Sequence, residues 1–355
     1  SHMSFGMSWW RVVARRGPCW CTLIARCYKQ RANRERPFNL RKVLLLEKTS
    51  RYEFERGRYK YASLSEEDLR NLVRASSIAP TNGAEVRKVQ RQDYCEDDVH
   101  WADAVISAGG DGTFLLAASK VCDSKKLVFG INTDPDRSEG YLCLPVHFTH
   151  NFPLAIHKLR SGNFRYCREQ PVPVHFQQIP FSALNEVFIG ESLSSRYKFF
   201  ILVINCKLIY RQLAEASYYE ISIDDGPWEK QKSSGINICT GSGSTAWSYN
   251  VNKVTKETVQ DILKLGKVIF YKFCASLIFD PEEVIMQYSV REPIVNRVYS
   301  CTRPRGFAHR VSVRSRCWDA CLVLDGAISF EFNDGAVATL AVNPNNALRT
   351  LNLRE

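Results

Sequence analysis

An apolar run, Trp101-Ala-Asp-Ala-Val-Ile-Ser-Ala, stops at Gly109-Gly110-Asp111-Gly112-Thr113 and is followed by Phe114-Leu-Leu-Ala-Ala-Ser-Lys. The first part reads as a buried parallel strand. The last part consists mostly of good helix formers. The glycines therefore mark a strand-to-helix turn, where backbone can approach a ligand closely and the amides of a helix start face outward. That geometry suits phosphate. It also sets one carboxylate, Asp111, among the donors, which fits an acid that takes a proton from a hydroxyl or holds a metal. A plain tight turn uses the same residue types, so the run alone leaves both readings open. No Lys-Ser/Thr pair follows the glycines, and the spacing is not Gly-x-Gly-x-x-Gly, which excludes a Walker A loop and a dinucleotide fingerprint.

Strands and helices alternate around this turn. Lys42 to Glu47, Val86 to Val89, Ala104 to Ser107 and Leu127 to Asn132 read as strands. Leu64 to Val73, with Ser65 before an acidic first turn, reads as a helix. Alternation of this kind predicts a doubly wound, Rossmann-like α/β domain over residues 37–145, with ligand at the carboxyl ends of its strands. After Pro145 the pattern changes. A helix over Phe152 to Leu159 precedes many short β-rich runs, separated by turns such as Asp225-Gly226, Asp325-Gly326 and Asp334-Gly335. Residues 146–342 are thus expected to form a mostly-β, sandwich-like domain. The Lys-rich stretch Val251 to Phe273 reads as a partly helical surface excursion.

The chain has 355 residues, enough for two domains with their own cores. Its net charge of +11 suggests nucleic acid until its distribution is examined. Seven basic residues and no acid lie in residues 1–34; without them, 41 basic residues face 37 acidic ones. The body carries no basic–aromatic stripe, so no nucleic-acid partner is expected. Residues 1–36 are Arg-rich and dotted with apolar residues, the pattern of a mitochondrial presequence. No apolar run reaches the roughly 18 residues of a membrane helix, so no membrane insertion is expected. The longest, Phe199 to Cys206, ends at Lys207 and is of strand length. Thirteen scattered cysteines show no zinc spacing. They read as reduced and mostly structural, and no protein metal site is expected.

A second dense stretch is Ile236-Asn-Ile-Cys-Thr240-Gly241-Ser242-Gly243-Ser244-Thr245-Ala246-Trp247. An apolar strand feeds a small, hydroxyl-rich loop backed by an aromatic ring. Hydroxyls can bind sugar or phosphate, and the ring offers a stacking face. The run GGDGT, then Leu184-Asn185-Glu186-Val187, then TGSGSTAW, in this order, resembles the NAD kinase family, most of all its vertebrate mitochondrial branch. The resemblance covers roughly residues 40 to 355.

The resemblance implies transfer of the ATP γ-phosphoryl group to the 2′-hydroxyl of the adenosine ribose of NAD, giving NADP. Asp111 would be the catalytic base. Gly109, Gly110, Gly112 and Thr113 would line the phosphates of ATP, escorted by Mg²⁺. Asn185, Glu186, Ser242, Thr245, Ala246 and Trp247 would bind NAD. The resemblance further implies a homodimer, the mitochondrial matrix, and a C-terminal tail, residues 343–355, returning to the first domain. This chain has Gly241 where the family loop usually has Pro, Trp247 where most members have Tyr, and Ser234 where an Asp is often found. Tyr197 to Glu215 reads as an insertion within the β region. Because of it, a catalytically impaired NAD-binding protein is one alternative. A GGDGT lipid kinase is another, disfavoured because Phe114-Leu-Leu-Ala-Ala carries no acid after the Thr.

Overall fold

The computed structural model describes residues 37–48, 84–136, 138–175, 182–192, 216–254 and 277–353. The basic leader, the Leu64 to Val73 helix, the Phe199 to Cys206 run, the Tyr197 to Glu215 insertion and most of the Lys-rich stretch lie outside them.

The first sheet contains β1 (Lys42–Glu47), β2 (Glu85–Gln90), β3 (Ala104–Ala108), β4 (Leu127–Ile131), β5 (Phe164–Glu169) and a final strand β18 (Leu348–Leu353). Their order is β2-β1-β3-β4-β18-β5. The first four strands are parallel, and β18 runs parallel to β4 but antiparallel to β5. Strand alternation explains why both faces are covered. Val43 and Leu45 of β1 enter one apolar cluster, with Phe148, Ile156 and Leu159. Leu44 and Leu46 enter the opposite cluster, with Phe114 and Ala117. Each face thus buries its own helices: Val146–His150 and Phe152–Arg160 on one side, Asp111–Ala118 on the other.

The expected boundary at residue 146 moves. The two helices after Pro145 bury Phe148, Ala155, Ile156 and Leu159 against the first sheet. Strand β5 then pairs with β18 over six residues, from Leu348↔Glu169 to Leu353↔Phe164. The chain leaves the first sheet only after Glu169. An apolar helix face announces burial but not its partner, which is why the sequence misplaced this segment.

The remaining strands are β6 (Val172–His175), β7 (Ser182–Ala183), β8 (Glu186–Glu191), β9 (Ser217–Ile223), β10 (Glu229–Ser233), β11 (Ile236–Cys239), β12 (Met286–Val290), β13 (Arg305–Ala308), β14 (Arg310–Ser315), β15 (Ala320–Leu324), β16 (Ile328–Glu331) and β17 (Val337–Ala341). They form two sheets, β10-β9-β14-β17-β6-β7 and β13-β12-β11-β8-β15-β16. Val187, Ile189, Ile236, Ile238 and Leu322 of the sheet containing β8 and β11 share a buried cluster with Val311, Val313, Ala338 and Leu340 of the sheet containing β14 and β17. This is sandwich packing, with alternate residues of each strand turned inward. At the β15–β16 hairpin, Asp325 (φ +48°) and Gly326 (φ +66°) both have the positive φ of a type I′ turn.

Candidate active site

Strand β3 lies between β1 and β4, and all five of its residues are buried. The ladder continues into the turn: Gly109 N–H donates to Ile131 O at 2.9 Å, and Lys48 N–H to Ala108 O at 2.9 Å. The helix then starts from an extended Gly110 with no side-chain cap on its first amides. Uncapped amides at a helix start are available to an anion. The glycines differ in purpose. A Cβ on Gly109 would sit 2.2 Å from Thr113 Oγ1, and one on Gly110 would sit 2.7 Å from Ser138 Oγ. Both are demanded by packing. A Cβ on Gly112 would meet nothing within 4 Å, so space is open above the helix start there.

Asp111 does more than face that space. Its Oδ1 accepts Leu142 N–H at 2.9 Å and its Oδ2 accepts Tyr141 N–H at 3.2 Å. The carboxylate therefore ties the helix start to the loop after β4. That loop is itself wound around buried Asn132, which accepts Asp134 N–H and donates to Ser138 O. Each Asp111 oxygen keeps a second lone pair for a further partner.

The Asn185–Glu186 pair sits at the entry to β8. It adjoins the glycine turn's sheet because Leu184 packs in the same cluster as Phe114, Val105 and Leu348. Its backbone is held by a residue far along the chain. The Asp325 carboxylate accepts N–H bonds from Leu184 (2.9 Å), Asn185 (2.8 Å) and Glu186 (2.9 Å). Burial nevertheless pushes the Asp325 carboxyl up, against those three donors. Asn185 is 7% exposed, and its side-chain oxygen has no hydrogen-bond partner among the described residues. A buried amide left open in this way is what a ligand donor would satisfy. Glu186 accepts from Asn237 Nδ2 at 3.1 Å and from the Ser248 backbone amide, at the start of the Trp247–Asn252 helix. Burial pushes its carboxyl up to about 7.

The hydroxyl-rich loop closes on these same residues. Thr240 N–H donates to Asn185 O at 2.9 Å, and Thr240 Oγ1 donates to Leu184 O at 2.5 Å. Gly243 approaches so closely that a Cβ would lie 2.0 Å from Asn185 O. The NAD-binding candidates divide at this point. Ser242 is buried, and its hydroxyl donates to Glu169 Oε2 at 3.0 Å. Thr245 Oγ1 turns back to Ser242 O at 3.1 Å. These hydroxyls hold the loop's shape. Thr245, Ala246 and Trp247 remain half-buried. The Trp247 ring meets Phe188 edge-on at 5.4 Å, and the Arg291 guanidinium lies 5.3 Å from its centre. Sequence reasoning passed over Asp325, Glu169 and Asn237. Only Asp325 carried a signal, as a turn residue before Gly326, and that signal said nothing of its carboxylate.

No family model matches the chain. The chain is 45% identical over 399 aligned residues to NAD kinase 2, mitochondrial, of Mus musculus, covering 90% of this chain and 88% of that protein. It is 45% identical over 396 residues to the human protein of the same name, covering 90% of this chain and 85% of that one. The Xenopus tropicalis protein is also 45% identical, with 88% and 91% covered. Among solved structures, the crystal structure of an NAD kinase from Archaeoglobus fulgidus in complex with ATP superposes with a TM-score of 0.51, at 18% identity, over 88% of this chain and 93% of that one. The yeast NADH kinase complexed with NADH gives 0.55 at 14% identity, over 88% and 84%. These two likenesses speak to the fold alone.

Proposed function

The chain belongs to the NAD kinase family, and from that premise we propose that it phosphorylates NAD at the 2′-hydroxyl of the adenosine ribose, with ATP as donor and NADP as product. The observation that carries this reading is the meeting of two separate stretches. The glycine turn with Asp111 ends β3, and the Asn185–Glu186 turn is seated beside the same sheet through Leu184.

In this reading the open space over Gly112 takes the ATP phosphates, which arrive as the magnesium complex. The uncapped amides at the start of the Asp111–Ala118 helix offset part of their charge. No cluster of three or more His, Cys, Asp or Glu occurs among the described residues. The ion would accordingly be held mainly by the phosphates, with Asp111 the carboxylate at the turn. Asp111 takes the proton of the ribose 2′-hydroxyl. The freed oxygen bonds to the γ-phosphorus as the bond to the bridging oxygen breaks, releasing ADP. Tyr141 and Leu142 amides hold the Asp111 carboxylate in one orientation for that step. Asn185 and Glu186 bind the adenosine half of NAD, the open Asn185 oxygen accepting from the base or ribose. Thr245, Ala246 and Trp247 line the loop side of the site, and Ser242 acts indirectly by setting the loop's path.

The basic leader and the mitochondrial relatives support a location in the mitochondrion, and we place the enzyme in the matrix as a homodimer. A coupled assay of NADP formation on the purified chain tests the reading, with Asp111→Asn as the control. NAD binding without NADP formation by the parent protein would replace it with a non-catalytic dinucleotide-binding role. Fusion of residues 1–36 to a fluorescent protein tests the location. A diffuse cytosolic signal would overturn it.

A further inference from the structure

Glu169 is the last residue of β5, and its carboxylate lies where three parts of the chain meet. Oε2 accepts the Ser242 hydroxyl at 3.0 Å, from the loop that follows β11. Oε1 accepts the Thr350 hydroxyl at 3.2 Å, from β18, the strand inserted between β4 and β5. The group is 9% exposed, and no cation pairs with it among the described residues. The nearest charged company is unhelpful. Glu282, itself paired with Arg165, opposes its ionisation. A buried carboxylate without a cation is costly to keep. Here it has two hydroxyl donors, and one of them belongs to the loop of the proposed site.

The loop has backbone support on that side as well, and Ser244 Oγ accepts Phe279 N–H at 3.3 Å. Gly241 packs on the backbone of Asp280 and Pro281, and Ser244 bonds to Gly241 O at 2.7 Å. The backbone of Gln170, next to Glu169, also reaches Pro281 O at 3.1 Å. The Ser242–Glu169–Thr350 chain is a side-chain link that joins this loop directly to a strand of the first sheet, the sheet whose β3 presents Asp111.

We propose that Glu169 is a positioning residue for the acceptor nucleotide: through Ser242 it sets the loop Thr240–Trp247 against the sheet carrying Asp111. The inference rests on the NAD kinase reading above. It touches neither nucleotide and acts only through the loop. Removing it is therefore expected to weaken the acceptor's hold more than the phosphoryl step.

The test is a double-variant cycle on the full chain: Glu169→Ala, Ser242→Ala and both together, with Glu169→Gln as the conservative form. KM and kcat for NAD and KM for ATP are measured alongside melting temperature. Glu169→Ala and Ser242→Ala are each expected to raise KM for NAD about tenfold, with kcat changed less than threefold and KM for ATP nearly constant. The double variant is expected to be no worse than either single one, because both remove the same link. Glu169→Gln keeps an acceptor for Ser242 and is expected to restore KM to within about threefold. Multiplying effects in the double variant would overturn the proposal. So would a fall in melting temperature with KM for NAD unchanged, which marks a purely structural role. If the parent protein binds NAD without turning it over, the functional reading fails by itself. The same cycle read as NAD dissociation constants by calorimetry then decides the role of Glu169.

Discussion

Replacing Asp325 is expected to damage a site it does not touch. Its carboxylate holds three consecutive backbone amides, Leu184, Asn185 and Glu186, with Oδ1 shared by the last two and Oδ2 taken by Leu184. In Asp325→Asn the single carbonyl oxygen best serves Asn185 and Glu186. The Leu184 amide then faces an NH₂ group and loses its acceptor. One buried donor left unmade costs about 1–3 kcal/mol. Asp325→Ala strands all three, nominally about 3–9 kcal/mol by the same rule. Burial already pushes the Asp325 carboxyl up, so removing the charge returns part of the cost of burying it. The lower half of that range is therefore expected for Ala. Asp325→Gly separates two explanations. It accommodates the φ of +48° without strain, yet loses the same three bonds. Urea and thermal unfolding at fixed pH measure the losses, and KM for NAD reports the displaced turn. Loss is expected to rank Asn, then Ala and Gly together. A Gly variant as stable as the parent would show that backbone conformation, not the carboxylate, matters at this position. An Ala variant within about 1 kcal/mol of the parent would refute the reasoning altogether, since three unmade buried bonds cannot cost so little.

Asp111→Asn is expected to cut NADP formation by about 10²–10⁴-fold, the share of a general base. It should also lower the melting temperature, because Tyr141 and Leu142 amides lose one of two acceptors; turnover within threefold of the parent would remove Asp111 from the chemistry. Glu186→Ala is expected to weaken NAD binding by about 1.5–3 kcal/mol, as for hydrogen bonds to a charged group, with ATP affinity nearly unchanged. Separate titrations with each nucleotide check this, and a stable mutant with parental NAD affinity would exclude the role. Burial pushes Glu169 and Glu186 up to about 7 from the 4.5 taken as their ordinary value. The folded state thus binds more protons than the unfolded one between those values. The stability this contributes is full below about pH 4.5 and is lost as pH rises through about 7, on the order of 3 kcal/mol for each group. Melting curves from pH 5 to 8 should therefore flatten in Glu169→Gln. An unchanged slope would show that this carboxyl does not titrate in that window.

Much of the fold was legible in the sequence because its signals are local. Residues 43–46 and Leu127–Ile131 are continuous apolar runs, and a strand buried on both faces needs nothing else to be seen. The turn after Ala108 was legible for the same reason. Two of its glycines are required by contacts within a few residues or across one neighbouring strand, and its helix begins where good formers begin. Short strands with polar faces were harder. Phe164–Glu169 and Leu348–Leu353 pair with each other across about half of the chain, and neither carries a pattern that names its partner.

The sequence by itself determined the elements and the chemical types at the site: a carboxylate on a glycine turn, an Asn–Glu pair, and a loop of small hydroxyl residues. Tertiary structure alone decided which of these groups are spent on the protein itself. Ser242 looked like a nucleotide contact, yet its hydroxyl is turned to Glu169. Asp325 looked like a turn former, yet it grips the backbone of Asn185 and Glu186 across 140 residues of chain. The physical reason is the range of the interactions. Backbone preference and apolar periodicity act over a few residues and are written in order along the chain. A hydrogen bond is made at about 3 Å in space, and which donor finds which acceptor is set only when the sheets have packed.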